Sequence, residues 1–280
     1  MANSHSAIGF VFGGGDLPFE ILDFMDSDVL QKSVIVVIAE STQDVVRFEK
    51  YRCKMLCCVS FAKVGKIIGI FKKYGIIDIC FVGGVKKPAF RALSPDLTGI
   101  LLIWRILRLR NRGDDAVLKT VMRFLEGKKF NILSPSEVNS GMLSTSDVET
   151  GMALSEQNAS DIEMGAQILR HLSEFDIGQS IVVQDGVVLG IEAAEGTDVL
   201  IVRCGLLATN SKNRPVLIKM AKISQDLRVD MPTIGKDTLN NIAKAGFAGV
   251  AIEKDRCLIQ SRGSIKKLAC DLGLFIYIIK

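Results

Sequence analysis

IGFVFGGGDLP, residues 8–18, reads as an apolar strand, a glycine turn and a helix start in immediate succession. The apolar run Ile8–Phe12 is too short for a helix and fits a strand buried on both faces. Asp16 suits the cap of the following helix, and Pro18 falls in its first turn, where a missing N–H costs nothing. A helical pattern over 17–25 and a second apolar run over 34–39 complete a βαβ unit. Runs over 55–60 and 78–82 then flank a helical stretch at 63–74, and helical patterns follow at 99–110 and 114–125. The first half is therefore expected to be an α/β domain, a Rossmann-like open parallel sheet with helices on both faces.

Residues 134–160 change character. They are rich in Ser, Asn, Glu and Gly and lack a sustained apolar period, which predicts a polar linker between a first domain over 1–133 and a second over 161–280. The second half shows a helix at 161–173, then strands at 180–184 and 187–193 joined by Asp185-Gly186, a strong hairpin signal. Helices at 197–207, 237–245 and 264–272 alternate with strands at 216–221, 249–252 and 274–279, a second α/β layer.

Composition removes several function classes. The chain has 280 residues, 48% of them apolar, enough for two packed cores. A net charge of +4, from 35 basic against 31 acidic residues, is too small an excess for a nucleic-acid binder. The longest apolar runs, at 67–70 and 100–104, fall far short of the roughly 20 residues a membrane span needs. The N-terminus lacks a basic region followed by a long apolar one, so a cytoplasmic location is expected. Seven cysteines form an odd set without paired CxxC motifs and read as reduced core residues. With only His5 and His171 in the chain, a histidine metal cage and a Ser-His-Asp triad are both set aside.

Six places can carry chemistry. Gly13, Gly14 and Gly15 follow the first strand, either as a plain turn or as a phosphate cradle whose N–H groups face an anion. Gly83-Gly84 ends another strand and is followed by Lys86, Lys87 and Pro88, at what should be the same carboxyl edge, where ligands collect in such sheets. Asp114 and Asp115 open a helix and satisfy its dipole or bind a ligand or metal. Before them, Arg105, Arg108, Arg110 and Arg112 share a helical stretch with Leu101, Leu102, Trp104 and Leu107; a buried apolar face explains this pattern, and so does contact with anionic lipid. In the second half, Glu192, Glu195, Thr197 and Asp198 sit where a strand passes into a helix, with Thr197 or Asp198 suited to the cap.

The densest stretch is QDLRVDMPTIG, residues 225–235. Asp226 and Asp230 flank Arg228 at a spacing that gathers both carboxylates on one side, able to hold a divalent cation or orient a water, while the guanidinium suits a phosphate. An Arg–Asp surface pair is the plainer reading. Lys219 and Lys222 precede it as phosphate partners or solvated lysines.

QDLRVDMPTIG, GFVFGGGDLP (9–18), RGDDA (112–116), DIGQSIVVQDG (176–186) and EAAEGTD (192–198) together resemble the UDP-2,3-diacylglucosamine pyrophosphatases of the LpxI type, which belong to lipid A synthesis in Gram-negative bacteria. The resemblance runs from about residue 8 to the C-terminus in the same order. It implies hydrolysis of UDP-2,3-diacylglucosamine to UMP and 2,3-diacylglucosamine 1-phosphate. It places the UDP part on the first domain with Gly13, Gly14 and Gly15, and catalysis on the second, with Asp230 as the catalytic aspartate beside Asp226 and Arg228. Lys87, Asp114, Asp115, Gln179, Glu195, Thr197, Asp198, Lys219 and Thr233 become expected substrate contacts, and Mg²⁺ or Mn²⁺ on Asp230 and Asp226 the expected cofactor. Two roles fit Asp230, metal ligand or positioner of the attacking water; a base role would require a raised pKa, since an ordinary aspartate titrates near 4. A lipid substrate also implies transient contact with the inner membrane surface, and the family implies a homodimer. A nucleotide-sugar transferase and a non-catalytic carrier are the competing classes.

Overall fold

The computed structural model describes residues 7–39, 45–85, 94–109, 114–150, 154–223 and 225–280, with Asp114 through its backbone only. The chain divides between Ser140 and Gly141 into two units.

In the first unit, β1 (Ile8–Phe12), β2 (Val34–Ile38), β3 (Met55–Val59), β4 (Asp78–Val82) and β5 (Asn131–Leu133) form one parallel sheet in the order β3-β2-β1-β4-β5. The helices are α1 (Leu17–Asp23), α2 (Ser27–Lys32), α3 (Val64–Lys73), α4 (Leu97–Leu107), α5 (Asp114–Glu126) and the short α6 (Pro135–Val138). Every residue of β1 and β2 is buried, which is why both read as unbroken apolar runs rather than alternating ones. Phe10, Phe12, Phe48 and Phe19 stack in series across the sheet face, with ring centroids 5.0, 5.6 and 4.5 Å apart.

In the second unit, β6 (Ser180–Gln184), β7 (Val187–Ile191), β8 (Val216–Lys219), β10 (Gly249–Glu253) and β12 (Phe275–Ile279) form a mixed sheet in the order β12-β10-β8-β6-β7. A two-residue pair, β9 (Thr233–Ile234) with β11 (Leu258–Ile259), stands apart from it. The helices are α7 (Glu156–Leu172), α8 (Thr197–Leu207), α9 (Lys236–Lys244) and α10 (Arg262–Asp271). Asp185-Gly186 forms the expected turn, both residues at positive φ. Buried Asp161 of α7 fixes it, accepting from the N–H groups of Asp185 and Gly186 at 2.9 and 2.8 Å.

The polar stretch 134–160 differs from the linker expected. Ser134 and Glu137 cap α6 reciprocally, and β5 with α6 belongs to the first unit. In the second unit, buried Ser144 donates from its hydroxyl to the Glu253 carbonyl (2.6 Å), Val148 joins the core, and α7 starts at Glu156. Its Ser and Glu side chains answer backbone groups of packed elements, so polarity here marks capping and clamping rather than a solvated tether. The cysteine expectation holds in part: Cys80, Cys204 and Cys257 are buried, but Cys58 and Cys270 are exposed, and all seven are free thiols. His171 is exposed and hydrogen-bonds to the carbonyl of Gln167 at 2.8 Å. His5 lies outside the described residues.

Candidate active site

The register of the second sheet assembles the site. β6 runs antiparallel to β8 with Ser180 opposite Lys219, and β7 returns antiparallel to β6, so the end of β8, the start of β6 and the end of β7 share one edge. The parallel strands β8 and β10 end there too, the edge at which α/β sheets bind ligands.

Lys219 is only 5% exposed. Its Nζ donates to Thr197 Oγ1 (2.7 Å), and that hydroxyl donates onward to Glu192 Oε1 (3.1 Å), with Ser180 Oγ 3.4 Å from it. Among the described residues Glu192 Oε2 is buried without a hydrogen-bond partner, and the Lys219 ammonium, which has three donors, bonds only to Thr197. Burial pushes the Lys219 pKa below its ordinary value, while the charge of Glu192, and then of Cys257, Asp198 and Asp230, pulls it back up. A desolvated ammonium with unused donors has the chemistry to take an anion.

Downstream of β8 the chain makes one helical turn in which the Asp230 N–H donates to the Asp226 carbonyl at 3.1 Å. Buried Gln225 donates from Nε2 to Asp230 Oδ2 (2.5 Å) and toward Gln179 Oε1 (3.4 Å), and its own Oε1 accepts from the Lys222 N–H (3.0 Å). The second oxygen of Asp230 has no hydrogen bond among the described residues, and the residue is partly exposed. Asp226 is ion-paired. Its carboxylate takes the Arg228 guanidinium in a fork, Nε to Oδ1 at 2.9 Å and Nη2 to Oδ2 at 2.7 Å, so the arginine between the two aspartates is held by the first of them. Val-Asp-Met-Pro then leads into β9, where Thr233 Oγ1 donates to the Met231 carbonyl (3.1 Å).

The remaining expectations sort by partner. Thr197 is the first residue of α8, but Gly196, at φ +83, is the cap, and the hydroxyl of Thr197 serves Lys219 instead. Asp198 accepts from Asn241 (3.0 Å). Glu195 is held by Arg203 (2.8 Å) and by the Ala193 N–H (3.1 Å). Lys222, equal to Lys219 in the sequence reading, ends on Asp176 at 2.5 Å. Glu192 and Gln225 gain the most. An acid directly after an apolar strand, and an amide five residues before Asp230, were the available signals.

In the first unit, the two glycine turns meet at the point where strand order reverses, β1 beside β4. The Gly13 N–H donates to the Val82 carbonyl (2.8 Å), and Gly14 and Gly84 exchange N–H···O bonds (2.8 and 3.1 Å). The N–H groups of Gly13 and Gly14 are thus engaged by the opposite turn, not aimed at an anion. A Cβ on Gly13 would collide with the Gly84 carbonyl, which explains glycine there. Asp16 precedes α1 without capping it and pairs with Arg47 (3.1 Å) instead. Asp115 pairs with Lys119 at 2.6 Å. Lys86, Lys87 and the Asp114 side chain lie outside the described residues.

No group of three or more His, Cys, Asp or Glu side chains among the described residues could hold a metal ion, so a cage made by protein alone does not fit. A cation that keeps its waters and takes phosphate oxygens needs only one or two carboxylates, and Asp230 meets that lesser demand.

A parallel sheet in one unit, and in the other a mixed sheet whose edge carries a buried lysine, define a two-unit α/β protein. The sequence matches the LpxI N-terminal domain over residues 7–142 and the LpxI C-terminal domain over residues 145–277. It is 31% identical over 274 residues to the UDP-2,3-diacylglucosamine pyrophosphatase LpxI of Caulobacter vibrioides, covering 96% of each chain. The chain belongs to the LpxI family.

Proposed function

We propose that this protein hydrolyses the diphosphate of UDP-2,3-diacylglucosamine, giving UMP and 2,3-diacylglucosamine 1-phosphate for lipid A synthesis. The similarity to the Caulobacter enzyme supports the substrate. The observation that carries the chemistry is the buried ammonium of Lys219, bonded among the described residues to Thr197 alone, on the edge from which the Asp230 turn departs. Lys219 takes the diphosphate oxygens, Thr197 and Glu192 hold it in place, and Asp230, oriented by Gln225, presents its second oxygen to the attacking water. Water adds its oxygen to one phosphorus, the bond from the other product's oxygen to that phosphorus breaks, and the water protons pass to the products and solvent. Asp230 would be the residue to hold Mg²⁺ or Mn²⁺, which would supply further neutralisation of the diphosphate charge. In the first unit, the switch-point edge with the paired glycine turns takes the uridine end.

Mass spectrometry of products formed in ¹⁸O-water with Mg²⁺ tests the reading. Wild type is expected to yield labelled UMP or labelled lipid 1-phosphate, and Asp230→Ala neither. Tight binding of intact substrate without cleavage would make the protein a carrier, and UMP release only with an added acceptor would make it a transferase.

A further inference from the structure

Helix α4 is apolar on two sides. Gly99 and Leu102 are buried against the first unit, as a surface helix requires. The opposite side carries Leu97, Ile100, Leu101 and Trp104, exposed by 87, 52, 42 and 49%. Spacings of three and four residues align these four in one stripe, so they form a continuous patch rather than scattered exposures. A helix that served only its own core would carry polar residues there, and a contiguous apolar patch on a soluble fold marks a second contact.

Charge identifies the occupant. From Leu97 to Leu109 there is no acidic residue, while Arg105 and Arg108 are exposed at the carboxyl end, and Arg110 and Arg112 follow in sequence. Asp96, just before the helix, is engaged by backbone N–H groups, accepting from Gly99 of α4 (2.7 Å) and Lys66 of α3 (2.9 Å). The Arg108 guanidinium lies 3.4 Å from the centroid of the Trp104 ring, and Arg105 lies 5.2 Å from that of Phe124. An indole under a guanidinium is the pairing that suits the boundary between headgroups and acyl chains, with the ring in the apolar layer and the charge at phosphate level. The stripe runs along a helix about 16 Å long, which can lie flat on a surface.

We infer that the outer stripe of α4 is a docking surface for an anionic lipid bilayer. No helix among the described residues is long and apolar enough to cross a membrane, so the contact is peripheral. The inference gives the lipid hydrolysis proposed above a place to act, yet it stands on α4 alone and is tested without substrate. Full-length protein is floated with vesicles of phosphatidylethanolamine and phosphatidylglycerol, and separately with neutral phosphatidylcholine vesicles. The bound fraction is expected to fall at least tenfold on neutral vesicles, in the variant Leu97→Ser/Trp104→Ser, and in Arg105→Glu/Arg108→Glu, with hydrolysis of detergent-dispersed substrate unchanged. Equal binding by wild type and both variants, or no binding by wild type, overturns the inference while leaving the hydrolase reading intact. Sedimentation velocity covers the remaining case: if the stripe variants turn a dimer into a monomer and wild type does not float, the stripe is a contact between copies. Flotation without any hydrolysis would sink the hydrolase reading and leave the surface standing.

Discussion

The two units place loops at the carboxyl edge of a sheet in opposite ways. In the first, the edge is built from backbone: Gly13 donates to the Val82 carbonyl and Gly14 and Gly84 exchange amide–carbonyl bonds, with no room for a side chain at Gly13. In the second it is built from side chains in two sets, Lys219–Thr197–Glu192 at 2.7 and 3.1 Å and Gln225–Asp230 at 2.5 Å. A backbone edge offers shape and holds no net charge. A side-chain edge offers charge that burial sharpens, and it can do chemistry. Substitutions should therefore act mainly on ligand affinity and folding in the first unit and on turnover in the second.

The sharpest test is Asp230→Ala, expected to lower kcat by about a thousandfold, the scale of losing a positioned polar group at the reacting centre. Thermal melting should barely change because Asp230 is partly exposed; a large drop in Tm with a matching loss of binding would make Asp230 structural. Lys219→Met should cost on the order of a hundredfold in kcat/KM, measured by UMP release. Its pH behaviour has a definite sign. With the folded pKa below the ordinary 10.5, the unfolded chain binds more protons between those two values, so wild-type stability rises with pH through that window. For the same reason the alkaline limb of kcat/KM should fall below pH 10.5. Lys219→Met should flatten the stability slope, and an unchanged slope would argue against a desolvated lysine.

Glu192→Gln keeps the shape but removes the charge that supports the lysine, and about a tenfold loss of kcat/KM is expected, the worth of one charge-assisted hydrogen bond. The alkaline limb should shift to still lower pH, a movement that a purely structural role would not produce. In the first unit, Gly13→Ala should weaken UMP binding in calorimetry and cost about 1–3 kcal/mol of stability by overpacking, with kcat at saturating substrate nearly unchanged. If kcat collapses instead, the division between a backbone edge and a chemical edge is wrong. The smallest effect belongs to Arg228→Lys. It loses the two-pronged hold on Asp226 and should change kcat/KM by only a few-fold, near the value of a part-exposed ion pair.

Much of this fold is legible because buried parallel strands leave unbroken apolar runs. Residues 8–12, 78–82, 180–184 and 197–207 fall on the elements as read, and helix ends elsewhere move by a few residues. What local pattern cannot carry is pairing. Nothing in 180–184 announces that β6 lies antiparallel against β8, yet that register brings Ser180 to Lys219 and makes the site. The same holds for Lys219 and Lys222, which look alike three residues apart: one ends on Thr197 under the sheet edge, the other on Asp176. The polar stretch 134–160 misleads for a related reason, since capping and clamping residues are compositionally the same as tether residues.

The exchange of hydrogen bonds between Gly14 and Gly84 also bears on how the first unit folds. Each turn is completed by a carbonyl from the other, so neither can reach its final shape until the crossover from β1 to β4 has closed. The switch-point edge is then among the last features of its unit to form and among the first to open, and the Gly14 and Gly84 amides should exchange with solvent together while those of β1 and β2 stay protected.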